Sequence, residues 1–229
     1  MTNLILALVA FLGTHFAMSH PLRAPLVARL GPMAFQGVYS LVALVTFVWV
    51  ALAFRAAPYG NPLWIAGDGV WTVATVIMLA ASILLLGSFV RNPAMPVPGS
   101  ERLATQPARG VFAITRHPMM WSFALWSLAH VLVSPRPAVI VLSIGIAFLA
   151  LVGAAGQDVK KAQLMGDAWR DWSSRTTYWP FAGQVSGRIP WTFPGMHALG
   201  GGLVVWLVAT WAHPLLGSGM PAGIWRWLG

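Results

Sequence analysis

The chain has 229 residues, of which 58% are hydrophobic and 8% are charged, and its mean hydropathy is +0.72. This composition departs from that of a soluble globular protein and indicates an integral membrane protein. Because the chain has no cysteine, it excludes disulfides, thiolate metal sites, cysteine nucleophiles and lipidated thiols. The formal net charge of +9 suits contact with anionic lipid, and no folded basic module predicts a nucleic-acid partner.

Six apolar windows are long enough to cross the hydrocarbon core of a bilayer. They cover residues 3–19, 34–54, 69–90, 118–134, 137–155 and 195–214. The first window lacks the basic flank of a secretory signal, so we interpret it as a spanning helix. The fourth and fifth are separated by SPRP, Ser134 to Pro137, whose prolines predict a tight helical hairpin. The sequence therefore predicts an all-α, polytopic membrane helix bundle, folded as a single domain over residues 1–229.

The basic residues predict the orientation of this bundle. Of the 14 Lys and Arg residues, only Arg55, Arg136 and Arg226 fall on one side, and the others lie in the first, third and fifth loops. Basic loops remain in the cytoplasm. We therefore expect these three loops to be cytoplasmic and both termini to face outward.

Two cytoplasmic segments differ in character. Segment 158–181 has Leu164, Ala168 and Trp172 at helical spacing among polar residues, which predicts an amphipathic helix at the membrane interface. The aromatic residues expected to anchor it at headgroup depth are Trp169, Trp172, Tyr178 and Trp179. Segment 91–110 is rich in proline and polar residues, and it predicts a loop that covers a site or stays mobile.

Two histidines are predicted near the centre of the membrane. His15 and His130 each lie 12 residues into their windows, which enter from opposite sides. At 1.5 Å per residue both lie about 18 Å deep, close to the midplane. An intramembrane histidine is either hydrogen-bonded to a neighbouring helix or functional. For a pair at one depth a shared ligand is favoured, and with no thiolate or carboxylate predicted at that depth, two imidazoles suit haem iron better than zinc or calcium.

Arg116 and His117 begin the fourth window. A fixed guanidinium charge beside the free N–H groups of a helix start favours an acidic group. A haem propionate, a lipid phosphate or a cofactor carboxylate would satisfy this chemistry. His20 and His197 fall at cytoplasmic helix ends, and His213 precedes a helix-ending proline; for these three, capping or solvent contact is the expected role.

Several segments carry a family resemblance. GTHFAMSHPLRAPLVARLGPMAFQGVYSLVALV and RHPMMWSFALWSLAHVL resemble the NnrU family of bacterial membrane proteins, which is associated with nitrite and nitric oxide reductase regulation. The same segments are similar to 15-cis-zeta-carotene isomerases. That likeness continues through GQDVKKAQLMGDAWRDWSSRTTYWPFAG to AHPL near the C-terminus. The resemblance implies a multi-pass protein of a bacterial inner membrane, with periplasmic termini.

The resemblance also implies a cofactor. It suggests haem b bound between helices, with His15 and His130 at the axial positions. From their own places in the sequence we expect Arg116 and His117, joined by Arg23, near the cytoplasmic edge of the cofactor pocket. The implied activity is cis–trans isomerisation of a lipophilic polyene, or a haem function in nitrogen-oxide metabolism. The isomerases have a cysteine three residues before the second histidine, where this chain has serine in SLAH. A mechanism that exchanges a thiolate onto the iron is therefore not transferred.

Two further interpretations stay open. The RHP segment and the helix after the hairpin also resemble isoprenylcysteine and phospholipid methyltransferases, which enclose S-adenosylmethionine. Those enzymes usually have glutamates where this chain has Gln157 and Asp158. The third interpretation is non-enzymatic: a haem carrier or an electron-transfer subunit with a redox partner, since bis-histidine ligation suits electron transfer.

Overall fold

A computed structural model describes residues 1–58, 60–95, 99–216 and 219–228, and within these ranges the regular elements are all helices. In chain order they are α1 (Thr2–Ser19), α2 (Arg23–Leu30), α3 (Pro32–Arg55), α4 (Asp68–Gly87), α5 (Ser100–Ala104), α6 (Val111–Ile114), α7 (Pro118–Val133), α8 (Pro137–Met165), α9 (Asp167–Arg175), α10 (Ala182–Val185), α11 (Met196–Ala212), a 3₁₀ turn (His213–Leu216) and α12 (Trp225–Leu228).

Among the described residues, five segments are long and apolar enough to cross a membrane: α1, α3, α4, α8 and Met196–Leu215. The sixth predicted span is α7, an apolar helix of 16 residues, which is about 24 Å long at 1.5 Å per residue. Proline at the first turn starts α3, α7 and α8, where its missing N–H has no partner to lose. The predicted fold class is confirmed, and the chain is a multi-pass membrane protein.

Neighbouring helices follow a simple spatial order. The main packing partners of α4 are α7 and α11, α8 packs on α7 and α1, and α1 packs on α3. Gly202 of α11 allows the closest approach, since a Cβ there would come within 2.6 Å of the Ile83 backbone in α4. The apolar side chains Leu41, Leu44 and Val45 of α3 are exposed, and in a bilayer they contact lipid.

The core has two parts. One lies near the N-termini of α1 and α8 and the C-terminus of α3, and contains Leu4, Leu8 and Val50. The other lies at the opposite end of the bundle, near the C-terminus of α4 and the N-terminus of α11. Its buried members include Leu84, Phe112, Ile114, Trp169 and Trp172.

The segment predicted to form an interfacial helix, residues 158–181, differs from the sequence prediction in two ways. Residues expected to start an interfacial helix at Asp158 instead extend the spanning helix α8 to Met165, and α9 begins only after Gly166. Trp169 and Trp172, expected at headgroup depth, are 1% and 3% exposed. Their indoles pack in the protein core because α9 folds back against the segments that precede α7.

The segment 91–110 also differs from a simple loop. It contains the short helix α5, and its residues Asn92, Pro93 and Ala94 are buried. Arg175 of α9 donates hydrogen bonds to the carbonyls of Ala104 and Gln106. The described parts of this segment therefore pack over the end of the bundle where α4 ends and α11 begins.

Candidate functional site

Hydrogen bonds between the residues before α7 and the chain after α9 position the start of α7. The Arg116 N–H donates to the carbonyl of Thr177 at 2.8 Å, and the Thr115 hydroxyl donates to the carbonyl of Tyr178 at 2.7 Å. Phe181 in turn donates its N–H to the carbonyl of Ile114. These bonds join the residues before α7 to the chain after α9, so the side chains at positions 116 and 117 stand on a fixed backbone.

The two side chains converge on one carboxylate, Asp158 of α8. The Arg116 guanidinium donates from Nε and Nη2, with a shortest distance of 2.6 Å, and His117 lies 2.9 Å away through Nε2. The side chains of Arg116, Asp158 and His117 are 15%, 20% and 1% exposed. We call these three residues the Arg–Asp–His cluster. The acidic group that Arg116 and His117 contact is therefore supplied by the chain itself.

The second nitrogen of His117 has an unusual position. With Nε2 directed at Asp158, Nδ1 is buried and has no hydrogen-bond partner among the described residues. The rings of Tyr178 and Trp169 lie 5.6 Å and 6.4 Å from the imidazole. A carboxylate on one ring nitrogen fixes the orientation of a histidine and leaves the other nitrogen available for a ligand or a proton.

Tyr178 closes the cluster on its aromatic side. Its hydroxyl donates to the carbonyl of Leu151 at 2.6 Å, and the Arg116 guanidinium lies 5.7 Å from its ring centroid. Burial, and then the nearby Asp158 carboxylate, raise the pKa of the Tyr178 phenol above its usual range. The phenol therefore stays neutral beside the cluster at physiological pH.

A small cavity of about 70 Å³ adjoins the cluster. Its walls include Arg116, His117, Asn92, Met119 and Gln157. The Asn92 amide is held by the Ser88 carbonyl and the Ala94 N–H. A space of this size holds a few waters and is far below the 300 Å³ or more of typical ligand pockets.

His15 and His130 have similar local hydrogen bonds. In each, Nδ1–H donates to the i−4 carbonyl at 2.8 Å, that of Phe11 for His15 and that of Trp126 for His130. A Nδ1–H that donates to a carbonyl leaves Nε2 as the nitrogen with a lone pair, as in metal-bound histidines. Each histidine alone is therefore suited to ligate a metal.

The surroundings of the two histidines nevertheless differ. The His15 ring lies 5.5 Å from Tyr39 of α3. The His130 ring stacks on Trp126 at 4.0 Å and lies 6.3 Å from His213, at the end of α11. These contacts place the histidines beside different helices.

Close approaches to α8 give the level of His15 in the bundle. Leu8 lies against Gly145 and His20 against Gly156, since a Cβ at either glycine would come within 3 Å of these side chains. The helices α1 and α8 run in the same direction. His15 is therefore more than half-way from Gly145 toward Gly156.

His130 lies at another level. The contact between His117 and Asp158 marks one end of the α7–α8 pair, and the turn at 134–136 marks the other. Because α7 and α8 are antiparallel, counting 13 residues along each helix from the His117–Asp158 contact places His130 opposite Gly145. Counting from the turn instead places His130 opposite a residue of α8 that is closer to the turn. At 1.5 Å per residue, the backbones of His15 and His130 are offset by about 10 Å or more along the bundle. Each side chain leans toward the N-terminus of its own helix, which brings the two rings toward each other.

The predicted ligation of one haem iron by His15 and His130 stays a prediction. Among the described residues no group of three or more His, Asp or Glu could hold a metal ion. Haem b, with the redox partner it would need, stays a prediction from the sequence.

Arg23 lies apart from the Arg–Asp–His cluster. It begins α2, and its charge acts on Lys160 and Lys161 of α8. The hydrogen bonds of Arg116 and His117 do not include it. At the adjacent turn, burial and then the charge of Lys160 lower the pKa of His20. The expected role of Arg23 at the cofactor rim stays a prediction.

Sequence reasoning named Asp158 as the start of the amphipathic segment and as a departure from the methyltransferase pattern, but not as a site residue. Its role as the partner of Arg116 and His117 was missed because these residues are 42 and 41 positions away in the sequence. One signal was available: Asp158 is the only carboxylate between Glu101 and Asp167. An isolated charge in an extended apolar helix requires a partner.

Comparisons of the sequence with known proteins show a similar enzyme and a matching family. The chain is 34% identical over 79 residues to 15-cis-zeta-carotene isomerase, chloroplastic, of Zea mays; the match covers 34% of this chain and 22% of the maize enzyme. The chain therefore matches about a fifth of the length of that relative. No solved structure matches the chain. The family described as NnrU protein matches residues 3–221, which is nearly the whole chain, and the protein therefore belongs to the NnrU family.

Proposed function

We propose that this protein is a membrane enzyme with an isomerase-like activity on a lipophilic polyene. The observation that carries the proposal is the similarity to the maize enzyme, whose name states an isomerisation of 15-cis-zeta-carotene. The multi-pass bundle supports it, because a hydrocarbon substrate dissolves in the lipid that surrounds helices such as α3.

In this proposal the Arg–Asp–His cluster is the polar end of the active site. Burying a carboxylate costs several kcal/mol unless it is paired, and Asp158 is paired with both Arg116 and His117. Perturbed, buried ionisable groups in a membrane bundle concentrate at functional sites. The cluster joins the residues at the start of α7 to α8, and so sets how these two helices pack on each other.

The chemical step itself needs more than these three side chains. Imidazole and carboxylate groups are much too weak as acids to protonate a polyene, and a carbon–carbon double bond offers them no acidic proton. A cofactor that draws electron density from the polyene, such as the predicted haem b, is therefore part of the proposal. No role in the reaction is assigned to a particular iron ligand.

The test is isomer analysis in a host that accumulates 15-cis-zeta-carotene. Expression of the chain is expected to convert the 15-cis isomer, as measured by chromatography, and Asp158→Asn is expected to lower the conversion at least about tenfold. Asp167→Asn is the matched control, since Asp167 is 96% exposed in an ion pair within its own helix. Unchanged isomers in the presence of folded wild-type protein would refute the isomerase and favour a non-enzymatic or nitrogen-oxide role.

We further propose that the protein lies in a bacterial inner membrane with both termini in the periplasm. The support is the distribution of basic residues, with cations at Arg55, Arg136 and Arg226 alone on the outer side. Because the chain has no cysteine, single cysteines can be introduced without background. An impermeant maleimide should label Asn61→Cys and not Ser186→Cys in intact cells, and the reverse pattern would invert the topology.

A further inference from the structure

A second and larger cavity lies at the cytoplasmic end of the bundle, away from the Arg–Asp–His cluster. Its volume is about 380 Å³, within the range of small-molecule sites. The walls come from the end of α4, the chain at 103–112 and the start of α11. We call it the α4–α11 cavity.

The floor of this cavity is apolar. Val111, Phe112, Trp172 and Ala198 line it and are each at most 5% exposed. The indole N–H of Trp172 has no hydrogen-bond partner among the described residues. An apolar floor with an unpaired donor suits a ligand that has a hydrocarbon or ring body and an acceptor atom.

The rim of the cavity is cationic. Arg91, Arg109 and His197 line it and are exposed, and no Asp or Glu is among the lining residues. Within the described ranges, no carboxylate forms an ion pair with Arg91 or Arg109. Arg91 instead donates to the Gln106 side chain at 2.9 Å, across the cavity wall.

The backbone at Arg91 supports a role for this side chain. Its φ is +56°, a left-handed conformation that is uncommon for a residue other than glycine and costs of order 1 kcal/mol or more. Such strain persists where the surrounding structure enforces it, and it clusters at ligand sites. Here it turns the chain at the end of α4 and places Arg91 on the rim.

We propose that the α4–α11 cavity binds an anionic amphiphile, a molecule that carries a phosphate or carboxylate on an apolar body. The acidic group meets Arg91, Arg109 and His197, and the apolar body lies on Phe112 and Trp172. A carotene has no charge to pair with this rim, so the site is separate from the proposed isomerisation. S-adenosylmethionine carries sulfonium and ammonium charges, which an unpaired cationic rim repels.

The probe that tests the site is hexyl phosphate, titrated by calorimetry into the full chain in phosphatidylcholine nanodiscs. We expect saturable binding, weakened about tenfold or more in the double variant Arg91→Gln/Arg109→Gln by loss of two charge-assisted contacts. Arg102→Gln is the control, because Arg102 is exposed in the same segment but does not line the cavity. All three positions are exposed, so these variants should fold.

Hexanol tests the contribution of the apolar body alone, and inorganic phosphate tests that of the acidic group alone. Each should bind at least about tenfold more weakly than hexyl phosphate. Equal binding by either, no binding of hexyl phosphate, or full binding by the double variant would overturn the proposal. Nanodiscs that contain phosphatidylglycerol identify the source of the ligand. Weaker apparent binding there supports an anionic lipid as occupant, and unchanged binding supports a water-soluble amphiphile. Neither outcome depends on isomerase activity.

Discussion

Replacement of Asp158 by Asn should destabilise the protein by about 2–3 kcal/mol. Removal of one partner from a fully buried ion pair costs about 3–5 kcal/mol, whereas exposed pairs contribute about 1 kcal/mol or less. The cluster is intermediate, because Asp158 and Arg116 are 20% and 15% exposed, while His117 is 1% exposed. Asparagine keeps the shape and one acceptor oxygen, so the loss comes mainly from the Arg116 charge left without a carboxylate.

The measurement is the free energy of unfolding in mixed micelles, followed by tryptophan fluorescence. The control is Asp171→Asn, which removes an exposed i,i+4 pair with Arg175 and should cost about 0.5 kcal/mol or less. In a double-mutant cycle, Arg116→Gln should cost far less in the Asp158→Asn background than in the wild type. Additive effects of the two substitutions would refute the inference that Arg116 and Asp158 form one energetic unit.

Three further predictions concern packing, pH and the cofactor. Gly202→Ala should cost about 1–3 kcal/mol, since its methyl meets backbone of α4 at 2.6 Å, whereas Gly200→Ala meets nothing within 4 Å and should be neutral or slightly stabilising in thermal unfolding. Because the pKa of Tyr178 is raised in the folded state, the unfolded chain loses that proton first as the pH rises above about 10, so stability should fall there, and less so in Tyr178→Phe. If His15 and His130 hold one haem, His15→Ala and His130→Ala should each abolish its Soret band; a band fully retained in both variants would show that neither ligates the iron.

The spanning helices could be predicted because lipid imposes one requirement on every segment. With no water to satisfy backbone groups, apolar stretches of this length form helices. The apolar window 34–54 corresponds to the helix Pro32–Arg55, and the window 137–155 corresponds to a helix that starts at Pro137. The end of that helix was missed by ten residues, because the polar residues beyond 155 have good helix propensity and continue the same helix outside the hydrocarbon.

The candidate site was harder to predict because its contacts are distant in sequence. Arg116 and His117 were identified from their position at a helix start, but a single sequence does not show which carboxylate they meet. The spacing that buries Trp172 in the core also fits an interfacial helix, since a helix that packs on a protein core and a helix that lies on a membrane each have one apolar face. Depth counted from the helix ends gave one level for His15 and His130, whereas the contacts with α8 place their backbones at different levels.

A combined replacement separates the contribution of the cluster to the fold from its contribution to activity. Changing Arg116→Met, His117→Phe and Asp158→Leu removes all three polar groups at similar volume. Replacing a buried ionic set by well-packed apolar residues is often neutral or stabilising by about 1–4 kcal/mol. We therefore expect the triple variant to unfold with at least the stability of Asp158→Asn, and to have lost conversion of 15-cis-zeta-carotene. A triple variant that folds and still isomerises at the wild-type rate would show that the cluster serves only to join α7 to α8, and the polar end of the active site would have to lie elsewhere.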